Sequence, residues 1–134
     1  DLYLRPATAF VAGFIGNSNF LAAEHLETTH GLATARLQGG EVISGVQAKG
    51  EVQRGGTAKL MIRPEGFRFK ENADDASFDV EIVDAAFFGE RQRIVARTAA
   101  GEEIDIRTVG PTVHPGGRKT RLFFDPAAAF LFPA

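Results

Sequence analysis

Residues 60–69, which read LMIRPEGFRF, decide the fold, because the chain repeats them as residues 122–132, LFFDPAAAFLF. In both copies an apolar run ends at a proline, and phenylalanines follow a few residues later. The copies are 61 residues apart at the preceding glycine pairs, measured from Gly56 to Gly117, 62 apart at the prolines and 63 apart at the first phenylalanines, Phe67 and Phe130. This spacing indicates a duplicated unit of about 60 residues, with too few copies for a solenoid array.

A second matched pair has the same spacing. Residues 35–41, ARLQGGE, precede residues 96–102, ARTAAGE, by 61 positions. Their centres predict hairpin turns, and the alternation of residues 78–83, FDVEIV, predicts a strand with one buried face. Strands are predicted at 19–28, 32–37, 42–46, 59–63, 78–83, 91–98, 103–109 and 118–124, with helical turns at 65–67 and 126–129 and a bend at 87–90. About five short strands in each half are typical of small β-barrels or of a sandwich.

One short helix is predicted before the first strand. Residues 6–15, PATAFVAGFI, begin with a proline that suits a first helical turn, and Phe10 and Phe14 belong to one apolar stripe. Because an isolated helix of this length is marginal in water, we expect it to pack on this domain or on whatever precedes it. The chain begins at Asp1 rather than at a methionine, so we expect it to be a fragment or a processed product.

The composition is that of one globular domain, with 134 residues, 44% of them hydrophobic, and 12 phenylalanines but no tryptophan. Phenylalanine brings no polar group that needs a partner, so we expect these side chains in a dry core. The net charge of −2 disfavours non-specific binding to nucleic acid, which needs a basic excess. The absence of cysteine excludes disulfides, zinc–thiolate sites and thiol nucleophiles.

The sequence predicts no catalytic, cofactor-binding or metal-binding residues. Residues 116–120, GGRKT, look like a phosphate-binding loop, but Arg118 separates the glycines from Lys119 and a strand is predicted to follow instead of a helix. Residues 13–16, GFIG, lack the third glycine of a dinucleotide-binding fingerprint. No carboxylate or second histidine stands at metal-ligand spacing from any histidine. We therefore expect solvated histidines at His25, His30 and His114.

Two charged patterns are interpreted as structural. The acidic stretch between the repeats is read as a solvated connection and not as a cation site; it contains Glu71, Asp74, Asp75, Asp79 and Glu81. Three arginines alternate along one predicted strand, where they could meet a phosphate group or acidic neighbours: Arg91, Arg93 and Arg97. Because Glu90, Glu102 and Glu103 are close in sequence, we predict a ladder of cross-strand ion pairs.

Residues 1–21, DLYLRPATAFVAGFIGNSNFL, resemble a junction in the ATPases of ABC importers, where the nucleotide-binding domain meets a C-terminal TOBE-type regulatory domain. The shared pattern is Y-x-x-P-x-x-x-F-V-A-x-F-I-G-x-x-N. Residues 62–65 (IRPE), 87–90 (FFGE) and 124–132 (FDPAAAFLF) resemble further elements of the same family. The resemblance spans the whole chain.

The resemblance implies an all-β fold of two OB-like β-barrel modules, in tandem or interleaved, preceded by a short N-terminal helix. Residues 1–16 would be the linker helix from a nucleotide-binding domain outside this chain. Residues 17–134 would be the regulatory domain, made of repeats at about 17–72 and 76–134. The resemblance is to ATP-binding subunits of the polyamine and ferric-iron type. The implied role is regulation and dimerisation of an importer for polyamines (spermidine or putrescine), or for another small solute, in the cytoplasm at the inner membrane.

The resemblance implies no catalysis by this chain, because the Walker and signature motifs of such ATPases are absent from its sequence. ATP and Mg²⁺ would bind the domain outside it. The implied partners are that nucleotide-binding domain, a second copy of the subunit, the membrane subunits and a small-molecule effector, with no nucleic acid. Two alternatives stay open: a module that binds a small solute or anion, and an OB module that stacks the bases of an oligonucleotide on exposed aromatic side chains.

Overall fold

Ten β-strands form the part of the chain that the computed structural model describes, residues 18–50, 54–109 and 119–133. They are β1 (Asn19–Thr29), β2 (Leu32–Leu37), β3 (Val42–Ala48), β4 (Thr57–Ile62), β5 (Phe67–Arg68), β6 (Ala76–Phe88), β7 (Arg91–Thr98), β8 (Glu103–Val109), β9 (Lys119–Phe124) and β10 (Phe130–Pro133). Single 3₁₀ turns at Pro64–Gly66 and Pro126–Ala128 follow β4 and β9. The predicted helix at 6–15 and the linker at 1–16 lie outside the described residues. Within those residues no helix is long and apolar enough to cross a membrane.

Five strands close into a barrel, which we call the first barrel, in the order β1-β2-β3-β10-β4. The first three strands form an antiparallel meander, and β4 returns to pair with β1. The strand between β3 and β4 comes from the far end of the chain: Phe130 of β10 pairs in parallel with Gln47 and antiparallel with Met61. The first repeat therefore needs the C-terminal strand to complete its hydrogen-bonded wall.

The other five strands form the second sheet, in the order β5-β9-β6-β7-β8. Its outer strand β5 comes from the first repeat, and Phe67 pairs with Phe124 of β9. Each sheet thus takes its last strand from the other half of the chain. Of the two arrangements that the sequence leaves open, the strands adopt the interleaved one.

The repeated sequence blocks adopt repeated structures. In the β2–β3 turn the N–H of Leu37 donates to the carbonyl of Glu41 at 2.8 Å, and in the β7–β8 turn Thr98 and Glu102 form the same bond at 2.8 Å. Gly40 and Gly101 have φ values of 98° and 89°, a left-handed conformation that favours glycine. The shared glycine of the two blocks is therefore a requirement of the turn.

The pairing corrects one detail of the repeat. Met61 in the first repeat and Phe123 in the second occupy equivalent positions. Phe130 pairs with Met61 and Arg68 pairs with Phe123, so Phe130 corresponds to Arg68 and not to Phe67. The spacing is therefore 62 residues through the proline, the 3₁₀ turn and the last strand.

The two sheets also differ, because no hydrogen-bonded ladder joins β8 to β5 among the described residues. With only two residues, β5 is too short to close the second sheet as the four-residue β10 closes the first.

The buried side chains of both sheets form one hydrophobic core. Small residues fill much of the first barrel, which lets its strands close tightly: Ala23, Ala33, Ala35 and Ala58. The second sheet is filled by larger groups. Phe67, Phe78 and Phe124 meet edge to face, with ring centroids 5.9–6.1 Å apart. Edge-to-face geometry is favourable for aromatic rings, so this cluster anchors the second sheet.

One residue of the acidic connection between the repeats, Asp75, is buried and bonded to strand β5. The side chain of Asp75 is 2% exposed and forms an ion pair with Arg68 of β5. Its other carboxylate oxygen accepts a hydrogen bond from the N–H of Asn72 at 2.9 Å. Burial raises the pKa of Asp75, but the hydrogen bonds from Arg68 and Asn72, together with the Arg68 charge, lower it overall.

We expect the lowered pKa of Asp75 to make the domain sensitive to acid. A carboxyl whose pKa is lower in the folded than in the unfolded state stabilises the fold above its unfolded pKa of about 4, and this contribution is lost as the pH falls through the folded pKa. In urea titrations below pH 4, Asp75→Asn should show a shallower loss of stability than the wild type. Asp79→Asn, which removes an exposed carboxylate, is the matched control. Identical pH profiles for the wild type and Asp75→Asn would contradict this assignment.

Candidate functional site

Polar contacts join the first barrel to the second sheet. Asn19, at the start of β1, donates through its side-chain amide to the carbonyl of Asp105 at 2.8 Å and accepts from the Asp105 N–H, also at 2.8 Å. Nearby, the N–H of Ala22 donates to a carboxylate oxygen of Glu102 at 2.8 Å. These paired, largely buried bonds fix strand β8 against strand β1. We call this region the junction.

A cavity of about 580 Å³ lies at the β8 edge of the second sheet. We call it the arginine cavity, after the three arginines among its lining residues, which are Glu65, Phe88, Arg91, Gln92, Arg93, Arg107, Thr108 and Val109. Because successive side chains of a strand alternate between faces, the three arginines lie on the face of the β7–β8 pair opposite to Gln92 and Thr108. The cavity volume is within the usual range of about 300–1,000 Å³ for small-molecule sites.

Like charges are placed side by side in this cavity. Arg93 of β7 lies directly opposite Arg107 of β8. Asp105 holds both: its carboxylate oxygens lie 3.2 Å from Arg93 Nε and 3.3 Å from an Arg107 amino nitrogen. Arg91 makes no ion pair with any described residue. Among the described lining residues, three arginines accompany one carboxylate, that of Glu65, and Asp105 beside them supplies a second.

On the inward faces of β7 and β8, two polar side chains have buried polar atoms without partners. Gln92 is 1% exposed, and within the described structure neither its amide nitrogen nor its amide oxygen has a hydrogen-bond partner. The hydroxyl of Thr108, which lies opposite Gln92 on β8, has none either. A buried polar group without a partner costs about 1–3 kcal/mol, which a strand of apolar inward residues would avoid. The fold itself gives no reason for this pair.

The predicted arginine ladder is only partly present. Arg97 lies opposite Glu103 in register, but neither Glu90, Glu102 nor Glu103 forms an ion pair with an arginine in the ranges that the structure describes. The ion pair on this strand goes to Asp105 instead, and Glu102 is engaged at the junction. Sequence reasoning missed Asp105, Arg107, Gln92 and Thr108 as members of the site.

A second cavity, of about 640 Å³, lies over β6, β7 and β9 and mixes both signs of charge. Asp79 and Glu81 of the predicted acidic stretch line it, together with Arg97, Lys119 and Arg121. Arg121 donates to Asp79 at 3.0 Å. The acidic stretch is therefore divided between this ion pair and the Asp75 contact with Arg68, and its members do not converge on a cation site.

The histidines differ from the prediction at one position. His25 is 3% exposed, because it occupies an inward position of β1 after Leu21 and Ala23. Its Nε2 lies 2.6 Å from the Thr28 hydroxyl. His30 is exposed as predicted, in the tight β1–β2 turn with φ of 54°, and His114 lies outside the described residues. The described part of the chain holds no group of three histidine or acidic side chains that could bind a metal ion.

Two exposed phenylalanines and part of the 116–120 segment can also be placed, whereas residues 116–118 lie outside the described residues. Phe87 and Phe88, expected in the core, are 53% and 65% exposed at the tip of the β6–β7 hairpin. Lys119 and Thr120 begin strand β9, in agreement with the prediction of a strand at this point. A phosphate-binding loop needs a helix whose N-terminus faces the phosphate, so these two residues do not form one.

A family model for the TOBE domain matches residues 60–132, more than half of the chain. The chain belongs to the TOBE domain family. In fold, this TOBE domain is similar to the cytoplasmic molybdate-binding protein ModG, with a TM-score of 0.71 and 10% identity, over 87% of this chain and 96% of that one. At that identity the likeness concerns the OB-like fold alone.

The TOBE domain also resembles parts of longer ATP-binding proteins of import or transport systems. It is 35% identical to the spermidine/putrescine import ATP-binding protein PotA of Mesorhizobium japonicum, over 80% of this chain and 29% of the relative. It is 34% identical to an Fe(3+) ions import ATP-binding protein FbpC of Rhizobium meliloti, over 75% of this chain and 27% of the relative. A multiple sugar-binding transport ATP-binding protein of Streptococcus mutans is 30% identical over 100% of this chain and 37% of its own length. The chain thus spans less than two-fifths of each of these relatives.

Proposed function

We propose that this TOBE domain is the regulatory and dimerisation domain of the ATP-binding subunit of an ABC importer for polyamines or another small solute. The observation that carries the proposal is the match of most of this chain to one part of several import ATP-binding proteins. The domain itself does no catalysis. ATP and Mg²⁺ bind the nucleotide-binding domain of the same subunit, and the complex lies on the cytoplasmic side of the inner membrane.

The transported solute is recognised elsewhere in the transporter. A polyamine carries several positive charges, and a site for it needs an excess of carboxylates. Among the described lining residues, the arginine cavity has three arginines against one glutamate, and the second cavity has three cationic side chains (Arg97, Lys119 and Arg121) against two acidic ones. These charges support a role for the domain as a scaffold whose partners are its own nucleotide-binding domain, a second copy of the subunit and the membrane subunits.

Exposed apolar side chains support dimerisation. Phe87 and Phe88 stand at the hairpin tip, and Val109 is 75% exposed at the neighbouring end of β8. Large apolar side chains grouped on a surface are typical of association sites. Burying such groups between two copies gains about 25 cal/mol per Å² before the costs of association are subtracted.

We expect light scattering to show a concentration-dependent dimer of this chain. Phe87→Ser should weaken the dimer at least about tenfold, since burial of a large apolar side chain contributes about 1.5–3 kcal/mol. Val42→Ser removes an equally exposed side chain from the first barrel and should leave the dimer unchanged. A strict monomer at high concentration would argue against dimerisation by this domain.

A further inference from the structure

The outward face of the second sheet carries a row of alternating charges that crosses four strands. Glu81 of β6 lies in register between Lys119 of β9 and Arg97 of β7. Arg97 in turn lies opposite Glu103 of β8. All four side chains are exposed, and none of them forms an ion pair with another described residue. We call these four residues the charged row.

The same face of the sheet continues to the tip of the β6–β7 hairpin. Arg91 shares this face of β7 with Arg97, because the two are an even number of residues apart. Phe88 lies opposite Arg91 on one side and Val109 lies opposite it on the other. Both apolar side chains are largely exposed. The face therefore has charged groups at one end and apolar groups at the other, a mixture that suits an association surface.

The charged row is complementary to its own reversed copy. From β9 to β8 its charges are positive, negative, positive and negative. A twofold axis brings the same surface of two copies together, so each contact between two different residues occurs twice. With the axis parallel to the strands and between β6 and β7, Glu81 of one copy faces Arg97 of the other. Lys119 then faces Glu103 of the other copy, and every charge of the row meets its opposite.

Other positions of the axis bring like charges together or leave charges unpaired. An axis along β6 places Glu81 against Glu81 of the second copy, and an axis along β7 does the same for Arg97. An axis at right angles to the strands, along the row, places each of the four residues against its own equivalent. An axis between β7 and β8, or between β6 and β9, pairs only two strands of the row. Only the central axis, between β6 and β7, pairs all four.

We propose, on the basis of the proposed dimerisation, that a second copy of this chain packs on the outward face of β6–β9 with the twofold axis between β6 and β7. Twisted sheets that pack face to face cross at about 30°, so the pairs of Glu81 with Arg97, next to the axis, are held most closely. The cavity of about 640 Å³ that both residues line gives room for the long side chains of the second copy. Because the axis is parallel to the strands, the two hairpin tips lie at the same end of the contact.

Charge reversal at the two central positions tests this arrangement. Glu81→Arg creates two positive pairs across the axis, and Arg97→Glu creates two negative ones. By light scattering, we expect each variant to have a dissociation constant at least about tenfold higher than the wild type, since like charges brought together across an interface oppose association. Glu27→Arg, the matched control, makes the same change of charge at an exposed position of β1 in the first barrel. It should dimerise like the wild type.

An equimolar mixture of Glu81→Arg and Arg97→Glu separates contacts between copies from contacts within one copy. In the mixed dimer the introduced arginine faces the introduced glutamate, and the native Arg97 faces the native Glu81. We expect the mixture to dimerise with an affinity close to that of the wild type, although neither variant does so alone. The like charges within each copy are unchanged by mixing, so this recovery comes only from pairing between copies.

Salt provides a second readout of the same contact. Raising NaCl from about 50 mM to about 500 mM should weaken the wild-type dimer, because screening reduces the attraction between exposed charges. The proposed face is wrong if both charge-reversed variants dimerise like the wild type, if their mixture does not recover, if Glu27→Arg is equally impaired, or if the wild-type dimer is insensitive to salt. Each of these results leaves dimerisation itself in place. A wild-type chain that stays monomeric overturns both proposals.

Discussion

Replacing Phe78 with alanine is expected to lower the free energy of unfolding by about 3–5 kcal/mol. Phe78 is 1% exposed and touches both Phe67 and Phe124 edge to face. The truncation removes the buried ring and leaves a cavity that the strands on either side cannot close, because each is held in register by its neighbours. Urea unfolding, followed by circular dichroism, measures the change.

Phe88→Ala is the control for this variant. It removes the same ring from a position that is 65% exposed, so we expect a change within about 0.5 kcal/mol. If both variants lost the same stability, the edge-to-face cluster would not be the centre of the second sheet. A total stability of about 5–15 kcal/mol means that Phe78→Ala can remove a large part of it.

Leu131→Ala is expected to lower the free energy of unfolding by about 2–5 kcal/mol and to weaken both sheets at once. Leu131 is fully buried in β10 and pairs with Ala48 of β3 and Leu60 of β4, the strands on either side of it in the first barrel. Although it belongs to the second repeat in sequence, its loss opens the wall of the first barrel. Because the two sheets share one core and exchange strands, the lost packing destabilises both of them.

Hydrogen exchange locates this effect. We expect faster exchange for amides of β3 and β4 in Leu131→Ala, together with faster exchange for those of β6 and β9. Pro133→Ala, at an exposed position of the same strand, should leave all four strands protected. Faster exchange confined to β6–β9 would indicate two tandem modules, and the exchanged arrangement would then be wrong.

Much of the fold follows from local pattern. The glycine turns at 38–41 and 99–102, and the alternation at 78–83, predict strands that the structure contains. Strands β5 and β10 could not be predicted, because two and four residues are too few to show a period. Their exchange depends on pairing between residues far apart in sequence, such as Met61 and Phe130, which no local pattern reports.

The site was harder to predict, because its signal consists of polar residues at inward positions. Gln92 shares the buried face of β7 with Ile94 and Ala96, where an apolar residue was expected. His25 likewise lies on the buried face of β1, which it shares with Leu21 and Ala23. The alternation rule applied to these two positions would have identified both as buried. Predicting the ion pairs of Arg93 and Arg107 with Asp105 would also have required the register between β7 and β8.

The exchange of β5 and β10 has a consequence for how the protein is made. The first barrel cannot close until residues 130–133 have been synthesised, although the last of its other strands ends at Ile62. A ribosome adds about 5–20 residues per second, so the early strands wait several seconds with two edges open. Nascent chains halted after residue 109 should therefore stay sensitive to protease, and acquire resistance only when residues 130–133 have left the exit tunnel.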